Sequence, residues 1–469
     1  MNLVGRLLAV NLTLLLPFFS GTLGTAPDGA RGSELTVVRQ CAGPILTIQN
    51  PGAKGNKYGF EGGRVIKILG IYHLFTSEMV GDPHWVKMRL AHWSSSDREH
   101  WTRQATLFES SGDFTGKDPR AALWSPMPVY DPDAGRWNLF YVAYQAAPDT
   151  AQAWLTNHEG RIWRAVSRTQ GLGGINGPYK DAGIVMERGS NSDSWEGLQG
   201  TDSFFPYRVG NRWYAMYGSA HTESLPLSLW QIGLASAPSL SGPWTRCTQL
   251  NPLRIESRFI ENPIVTRLAN NAYLAVYDNH QPNEIGYAIS NDGLHWPPGR
   301  HLVVQSGGNV WASEVRTPLG LVGEGNDVFT LFYTANEKVS GANTDAYGIT
   351  LTPGAVGFAE VRLSQQDVSF VPSANDGAQA QTHGAYRVSA AQGSFAEPIP
   401  ASTAGLPRIV SQRSRPAPDA LCNRICEDRW GKGSHPPRWG SGCEAHKRRT
   451  RPTTAEILGN ATFLEAKKC

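Results

Sequence analysis

A chain of 469 residues with 43 Lys and Arg against 40 Asp and Glu carries a formal charge of only +3. That excludes the strong basic field by which nucleic acid or an anionic membrane surface is gathered, the more so because much of the positive charge sits near the C-terminus. Fifty glycines, 31 prolines and 10% aromatic residues describe a turn-rich, all-β chain rather than a helical one.

The chain opens with Arg6 and an apolar run from Leu7 to Phe19, followed by the small residues Ser20, Gly21, Thr22 and Gly24. This is the pattern of a signal peptide over residues 1–24. The run is shorter than the roughly 20 apolar residues a membrane-spanning helix needs. The expectation is a secreted protein with no membrane contact after cleavage, an uncleaved anchor being the lesser alternative. Leu35 to Ile48 then reads as a β segment available to close a sheet begun elsewhere.

From Glu61 onwards one arrangement recurs. A polar residue within two positions of a Pro or Gly opens a segment at Glu61, Ser125, Asp202, Glu261 and Arg316, at intervals of 55 to 77 residues. Each opening runs into a short aromatic strand: Tyr72–Ser77, Trp137–Val142, Trp213–Gly218, Tyr273–Asp278 and Phe329–Thr334. Four of these are followed by a turn ending in Trp or Tyr, at Ser96–Trp101, Gly177–Tyr179, Gly242–Trp244 and Asn291–Trp296, which reads as an outer hairpin. Five such units predict a five-bladed β-propeller over residues 35–365, with blades longer than the about 40–50 residues of common propeller repeats. A β-sandwich is the competing fold, and the regular recurrence argues against it. The fifth blade is the least regular, since its outer hairpin around Tyr347 to Phe358 lacks a Trp turn, and Leu35–Ile48 is the segment that would complete it.

Residues 366–469 change character, becoming rich in Ser, Ala, Gln and Pro and then basic at Lys447–Arg451. They read as a low-complexity, poorly ordered extension with one short helix near Thr454–Leu458. Four of the six cysteines, at 422, 426, 443 and 469, fall here. Their spacing, with His446, matches no standard zinc pattern, so disulfides or free thiols are favoured over a metal. Asn460-Ala-Thr462 is a glycosylation sequon.

In a propeller the first strand of each blade lines the axis, so Glu61, Asp202 and Glu261 are expected around one funnel with Arg316 and Ser125. Gathering acids is costly because like charges raise one another's pKa, which makes the cluster a pointer to chemistry. The competing reading is that each carboxylate merely ties neighbouring blades together.

An acid in the first unit, Trp124-Ser-Pro in the second, Thr201-Asp-Ser-Phe-Phe in the third and Glu261-Asn-Pro-Ile in the fourth together form an ordered series. It resembles glycoside hydrolase family 43 and its five-bladed relatives in families 32, 117 and 130, over about Gly59 to Leu363. The resemblance implies an inverting glycoside hydrolase acting on a plant, algal or other extracellular poly- or oligosaccharide. It makes Glu261 the general acid, Asp202 the carboxylate that orients it and raises its pKa, and Glu61 the base that activates water. Glu61 departs from the family's Asp, and the extra methylene shifts a carboxylate whose distance from the acid matters: inversion needs about 6.5–9.5 Å and retention about 5–5.5 Å. Asp118, within Lys117–Arg120, is a rival base, although a surface turn is the favoured reading of that stretch.

A second ring of candidates sits at the ends of the aromatic strands: Glu78, Tyr144, His221, Asp278, His280 and Asn336. With Trp124, Ser125, Arg316, Trp85 and His84 these are expected to hold a carbohydrate, the partner the resemblance implies. Arg316 stands where several family members carry a histidine near a central water or calcium, so no metal and no cofactor is expected. Its role is open between binding an anionic substrate group and neutralising the acids. Two other activities stay in view, a non-catalytic carbohydrate-binding propeller and a phosphate-dependent phosphorylase using Arg316 and Lys117. Oligomeric state is left open.

Overall fold

The computed structural model describes residues 33–365 except 154, 225–229, 282, 305–309 and 338–351. The expected signal peptide, the extension with its four cysteines, the short helix and the sequon all lie outside the described residues. Among those described, no helix is long and apolar enough to cross a membrane.

The strands form five four-stranded antiparallel sheets. Strand β1 (Ser33–Gln40) comes first in the chain and is treated below with the sheet it joins. Blade one contains β2 (Phe60–Ile68), β3 (Ile71–Met79), β4 (Met88–Ser95) and β5 (Thr102–Glu109). Blade two contains β6 (Ala122–Asp131), β7 (Arg136–Ala146), β8 (Asn157–Gln170) and β9 (Tyr179–Glu187). Blade three contains β10 (Asp202–Val209), β11 (Arg212–Ala220), β12 (Trp230–Ala237) and β13 (Thr245–Arg246). Blade four contains β14 (Glu261–Arg267), β15 (Tyr273–Asp278), β16 (Glu284–Ser290) and β17 (Arg300–Val303). Blade five contains β18 (Glu314–Gly325), β19 (Val328–Asn336) and β20 (Ala355–Gln365), with β1 as its outer strand.

The first strands β2, β6, β10, β14 and β18 contact one another and surround the axis. The second strands are the most deeply buried: β15 (Tyr-Leu-Ala-Val-Tyr-Asp) is buried along its whole length, which is why it lacks an apolar-polar alternation. Closure depends on a pairing distant in sequence. Strand β1 runs antiparallel to β20 from Ser33 opposite Gln365 to Gln40 opposite Ala359, and Leu46 adds one bridge to Val356. This pairs the edge of β20 and makes β1 the outer strand of the sheet. The expected closure of blade five by the N-terminal segment is therefore met, while the expected outer hairpin at Tyr347–Phe358 is corrected: residues 347–351 lie outside the described residues, and Ala355 onward is the third strand.

The Trp turns pack both between and within blades. Trp101 packs edge-on against Phe332 of blade five with ring centres 6.0 Å apart, and Trp244 packs within blade three against Phe204 at 5.0 Å. Truncating a buried indole of this kind costs about 3–5 kcal/mol. Two of the turns share one lock. Asp97 Oδ1 accepts from the backbone N–H groups of Glu99 and His100, as Asp292 Oδ1 does from Leu294 and His295.

Candidate active site

Glu61, Asp202 and Glu261 occupy equivalent places on three first strands. Each is the last paired residue before a bulge, with Glu61 opposite Ser77, Asp202 opposite Gly218 and Glu261 opposite Asp278. The next residue is left-handed in each case, at φ 65° for Gly62, 51° for Ser203 and 50° for Asn262. A bulge adds one residue to its strand and so re-aims the side chain beside it. In blade two the matching pair is Trp124, opposite Val142, and then Ser125 at φ 50°. In blade five Val315 is the matching residue, opposite Ala335. The expected register is corrected accordingly: Ser125 and Arg316 stand one residue beyond the three acids, because the strands are aligned by the bulge rather than by the polar residue.

A second device pins the acids. Two residues ahead of each lies a single parallel bridge to the preceding blade: Gly59 to Gly354, Gly200 to Gly160 and Phe259 to Trp230. The hydrogen bonds repeat. Gly160 N–H donates to Gln199 O and Thr201 N–H to Gly160 O, both at 2.8 Å, while Trp230 N–H donates to Arg258 O at 2.9 Å and Ile260 N–H to Trp230 O at 3.0 Å. The left-handed residues form the floor. Ser125 N–H donates to Ser77 Oγ at 2.9 Å, Ser125 Oγ to Asn262 Oδ1 at 3.2 Å, and Asn262 N–H to Ser203 Oγ at 3.2 Å, linking four blades.

Above this floor opens a cavity of about 400 Å³, within the range of small-ligand sites. Its walls include Glu61, Asp202, Glu261 and Glu314 together with Trp85, Trp124, Tyr144, Trp230 and Phe259. Burial, and then the neighbouring charges of Asp202 and Asp278, push the Glu261 carboxyl well above the ordinary range. Burial also raises Asp202, against which the Tyr144 hydroxyl and the Ser203 N–H favour the ionised form. Glu61 is raised by burial as well, opposed by Arg316 and by the hydroxyls of Thr317 and Thr334, which donate to its two oxygens.

Arg316 is the counterweight. Burial disfavours its charge, yet Asp278, Glu61, Glu261 and Glu314 together hold the guanidinium above its ordinary pKa. Its Nη2 is 3.7 Å from Asp278 Oδ2, and Nη1 donates to His280 Nδ1 at 3.0 Å. His280 is thereby neutral, with its proton on Nε2, in line with the lowering that burial and Arg316 impose on it. Asp278 Oδ1 accepts from His280 N–H at 2.7 Å, which holds the loop at the strand end.

The other expected residues divide between the cavity and its surroundings. Trp124, Ser125, Tyr144, His280, Arg316, Asn336 and Trp85 line the cavity, and Asp278 acts on it from behind Arg316. His221 is not among the lining residues: its Nδ1 is 2.8 Å from Glu223 Oε1 and its Nε2 3.3 Å from Ser194 O. Glu78 is fully buried and takes Arg89, Arg103 and the Trp93 indole N–H, a structural knot inside blade one. His84 packs between Tyr58 and Trp85 outside the lining. Asp118 accepts from Arg120 N–H at 2.8 Å in a turn away from the cavity. Sequence reasoning missed Asn157, Gln199, Trp230, Phe259 and Glu314. Phe259 and Glu314 each lie two residues before an expected site residue, and the two-residue period of extended chain was the available signal. Among the described residues, no group of three or more His, Cys, Asp or Glu is disposed to hold a metal ion.

Fold and site together define a five-bladed propeller with a buried carboxyl cluster in an aromatic-walled axial cavity. No protein-family model and no curated protein matches the chain. Among solved structures, it is similar to Zg3597, a family 117 glycoside hydrolase produced by the marine bacterium Zobellia galactanivorans, at 12% identity and TM-score 0.47 over 75% of this chain and 96% of that one. It is similar to a thermostable family-43 glycoside hydrolase at 15% identity and TM-score 0.42, over 70% of this chain and 100% of the other. The α-L-arabinofuranosidase PaAbf62A from Podospora anserina gives 14% identity and TM-score 0.43, over 68% and 95%.

Proposed function

We propose that this protein hydrolyses glycosidic bonds of an extracellular poly- or oligosaccharide by an inverting acid/base mechanism, and that it is secreted. The observation that carries the reading is the Asp202 and Glu261 pair, buried together in an aromatic-walled cavity and facing Glu61 and Arg316. A carboxyl pushed well above its ordinary pKa stays protonated near neutrality and can give its proton to a leaving oxygen. Glu261 fills that role. As the bond from the anomeric carbon to the glycosidic oxygen breaks, the Glu261 proton passes to that oxygen. Water adds to the anomeric carbon from the opposite face, and Glu61 takes its proton. Thr317, Thr334 and Arg316 favour the ionised Glu61 that this step needs. Asp202, ionised against Tyr144, leaves the pair's proton on Glu261. The ordered motifs shared with family 43 support the same roles, and the Arg6 and Leu7–Phe19 pattern supports secretion.

Replacing Glu261 by Gln keeps the shape and removes the proton. Turnover of natural polysaccharides should fall by about 10²–10⁴, with less loss on aryl glycosides that carry good leaving groups, and the first-formed anomer, followed by NMR, should be inverted. A wild-type protein that binds a polysaccharide and cleaves none would instead favour a non-catalytic carbohydrate-binding propeller, with Glu61 as the altered position. The phosphorylase reading draws little support, because Arg316 is already surrounded by four acidic side chains and Lys117 is absent from the cavity walls.

A further inference from the structure

Of the three parallel bridges that precede the acids, two join glycine to glycine, and the third joins Trp230 to Phe259. A glycine pair only brings two backbones together. The third bridge adds two large rings at the same place, and both enter the cavity wall beside Glu261. Their ring centres are 5.9 Å apart, and the Phe259 ring continues to His280 at 4.9 Å. The three rings therefore form one half-open platform along blades three and four. His280 is fixed at its far end by the bond from Arg316. The Trp230 indole N–H is buried and has no hydrogen-bond partner among the described residues.

The position of this platform follows from the chain. Phe259 precedes Glu261 by two residues in extended backbone, so both side chains project to one side about 6.5–7 Å apart, close to the length of one sugar ring. Glu61 stands across the axis on blade one. Resting on the hydrolase reading, in which Glu261 protonates the departing oxygen and Glu61 directs water from the other face, the blade-four side of the cavity faces the leaving group.

We propose that Trp230, Phe259 and His280 form the leaving-group subsite, and that the group they hold is itself a sugar ring. Its apolar face lies on the aromatic rings. The substrate is then a disaccharide or longer chain rather than a glycoside of a small alcohol.

The test compares two leaving groups on one glycone. Disaccharides of xylose, arabinose, galactose and glucose are assayed beside the matching glycosyl fluorides, whose leaving group has no ring and needs little acid help. The proteins are wild type, Trp230→Ala, Phe259→Ala and Trp230→Phe, with thermal unfolding as a check on folding. The expected result is a loss of about 10- to 100-fold in kcat/KM on the disaccharide for the two alanine variants, with fluoride hydrolysis within about 3-fold of wild type and recovery of most of the loss in Trp230→Phe. Equal losses on both substrates, or no loss on the disaccharide, overturn the subsite while leaving the hydrolase reading intact. A wild type that cleaves neither the disaccharides nor the fluorides overturns the hydrolase reading and the subsite with it.

Discussion

Gly200 meets Gly160 of the preceding blade in a single parallel bridge, two residues ahead of Asp202. Gly200 is left-handed at φ 80°, and a Cβ built there would lie 2.6 Å from the Gly160 carbonyl oxygen and closer still to its nitrogen. No side chain fits between these backbones, so the placement of Asp202 depends on a residue that carries no chemistry.

Gly200→Ala should therefore cost activity as well as stability. Displacing a catalytic carboxyl by about 1 Å can lose roughly 10²-fold in rate. Gly210→Ala is the control, since Gly210 is also left-handed, at φ 60°, with nothing within 4 Å of a built Cβ. It should lose about 1–2 kcal/mol of stability and keep its kcat. Equal kcat in the two variants would show that the bridge does not position Asp202.

The pH profile follows from the two glutamates. The proposed mechanism needs Glu61 ionised and Glu261 protonated. Both pKa values are raised by burial, Glu261 further by Asp202 and Asp278. The rate should rise with pH as Glu61 loses its proton, above the ordinary carboxylate range, and fall again as Glu261 loses its own. In Glu261→Gln the alkaline limb should vanish while the acid limb stays, as read from kcat/KM against pH.

Arg316→Met removes the charge that lowers both glutamates. Each limb should then move to higher pH, and activity at the wild-type optimum should fall as Glu61 becomes protonated. A profile that keeps its position and loses only height would assign Arg316 to substrate contact instead.

Blade one holds a buried pair, His73 Nδ1 and His92 Nε2, 3.0 Å apart, with Phe75 stacked on His92 at 4.4 Å. Burial pushes His92 down to about 3 and lowers His73 as well. Because the folded pKa values lie below the unfolded ones, the unfolded chain binds more protons below about pH 6.5. Stability should be full above that pH and decline as pH falls toward the folded values, by an amount on the order of a few kcal/mol. His92→Phe should flatten this part of the melting-temperature profile between pH 4 and 7.

Much of the fold was legible because it repeats. Five aromatic second strands and four Trp or Tyr turns carry a local signal, since a strand buried on both faces must be apolar and a tight hairpin needs particular turn residues. The acids were legible through the same repeat. His221 and Glu78 were misplaced for the opposite reason: a polar residue near the end of a buried strand meets whichever partner its own blade offers, Glu223 from the turn that follows in one case and Arg89 with Arg103 from the two outer strands in the other.

By itself, then, the sequence determined the number of blades, their order and which strands carry Glu61, Asp202 and Glu261, because these follow from periodicity and turn chemistry within each unit. Tertiary structure alone decided the register at the axis, the residue-by-residue register of β1 on β20, and the meeting of Trp230 with Phe259. Those depend on bulges and on contacts between blades, where one added residue turns a side chain from the core to the cavity and leaves no trace in the local pattern.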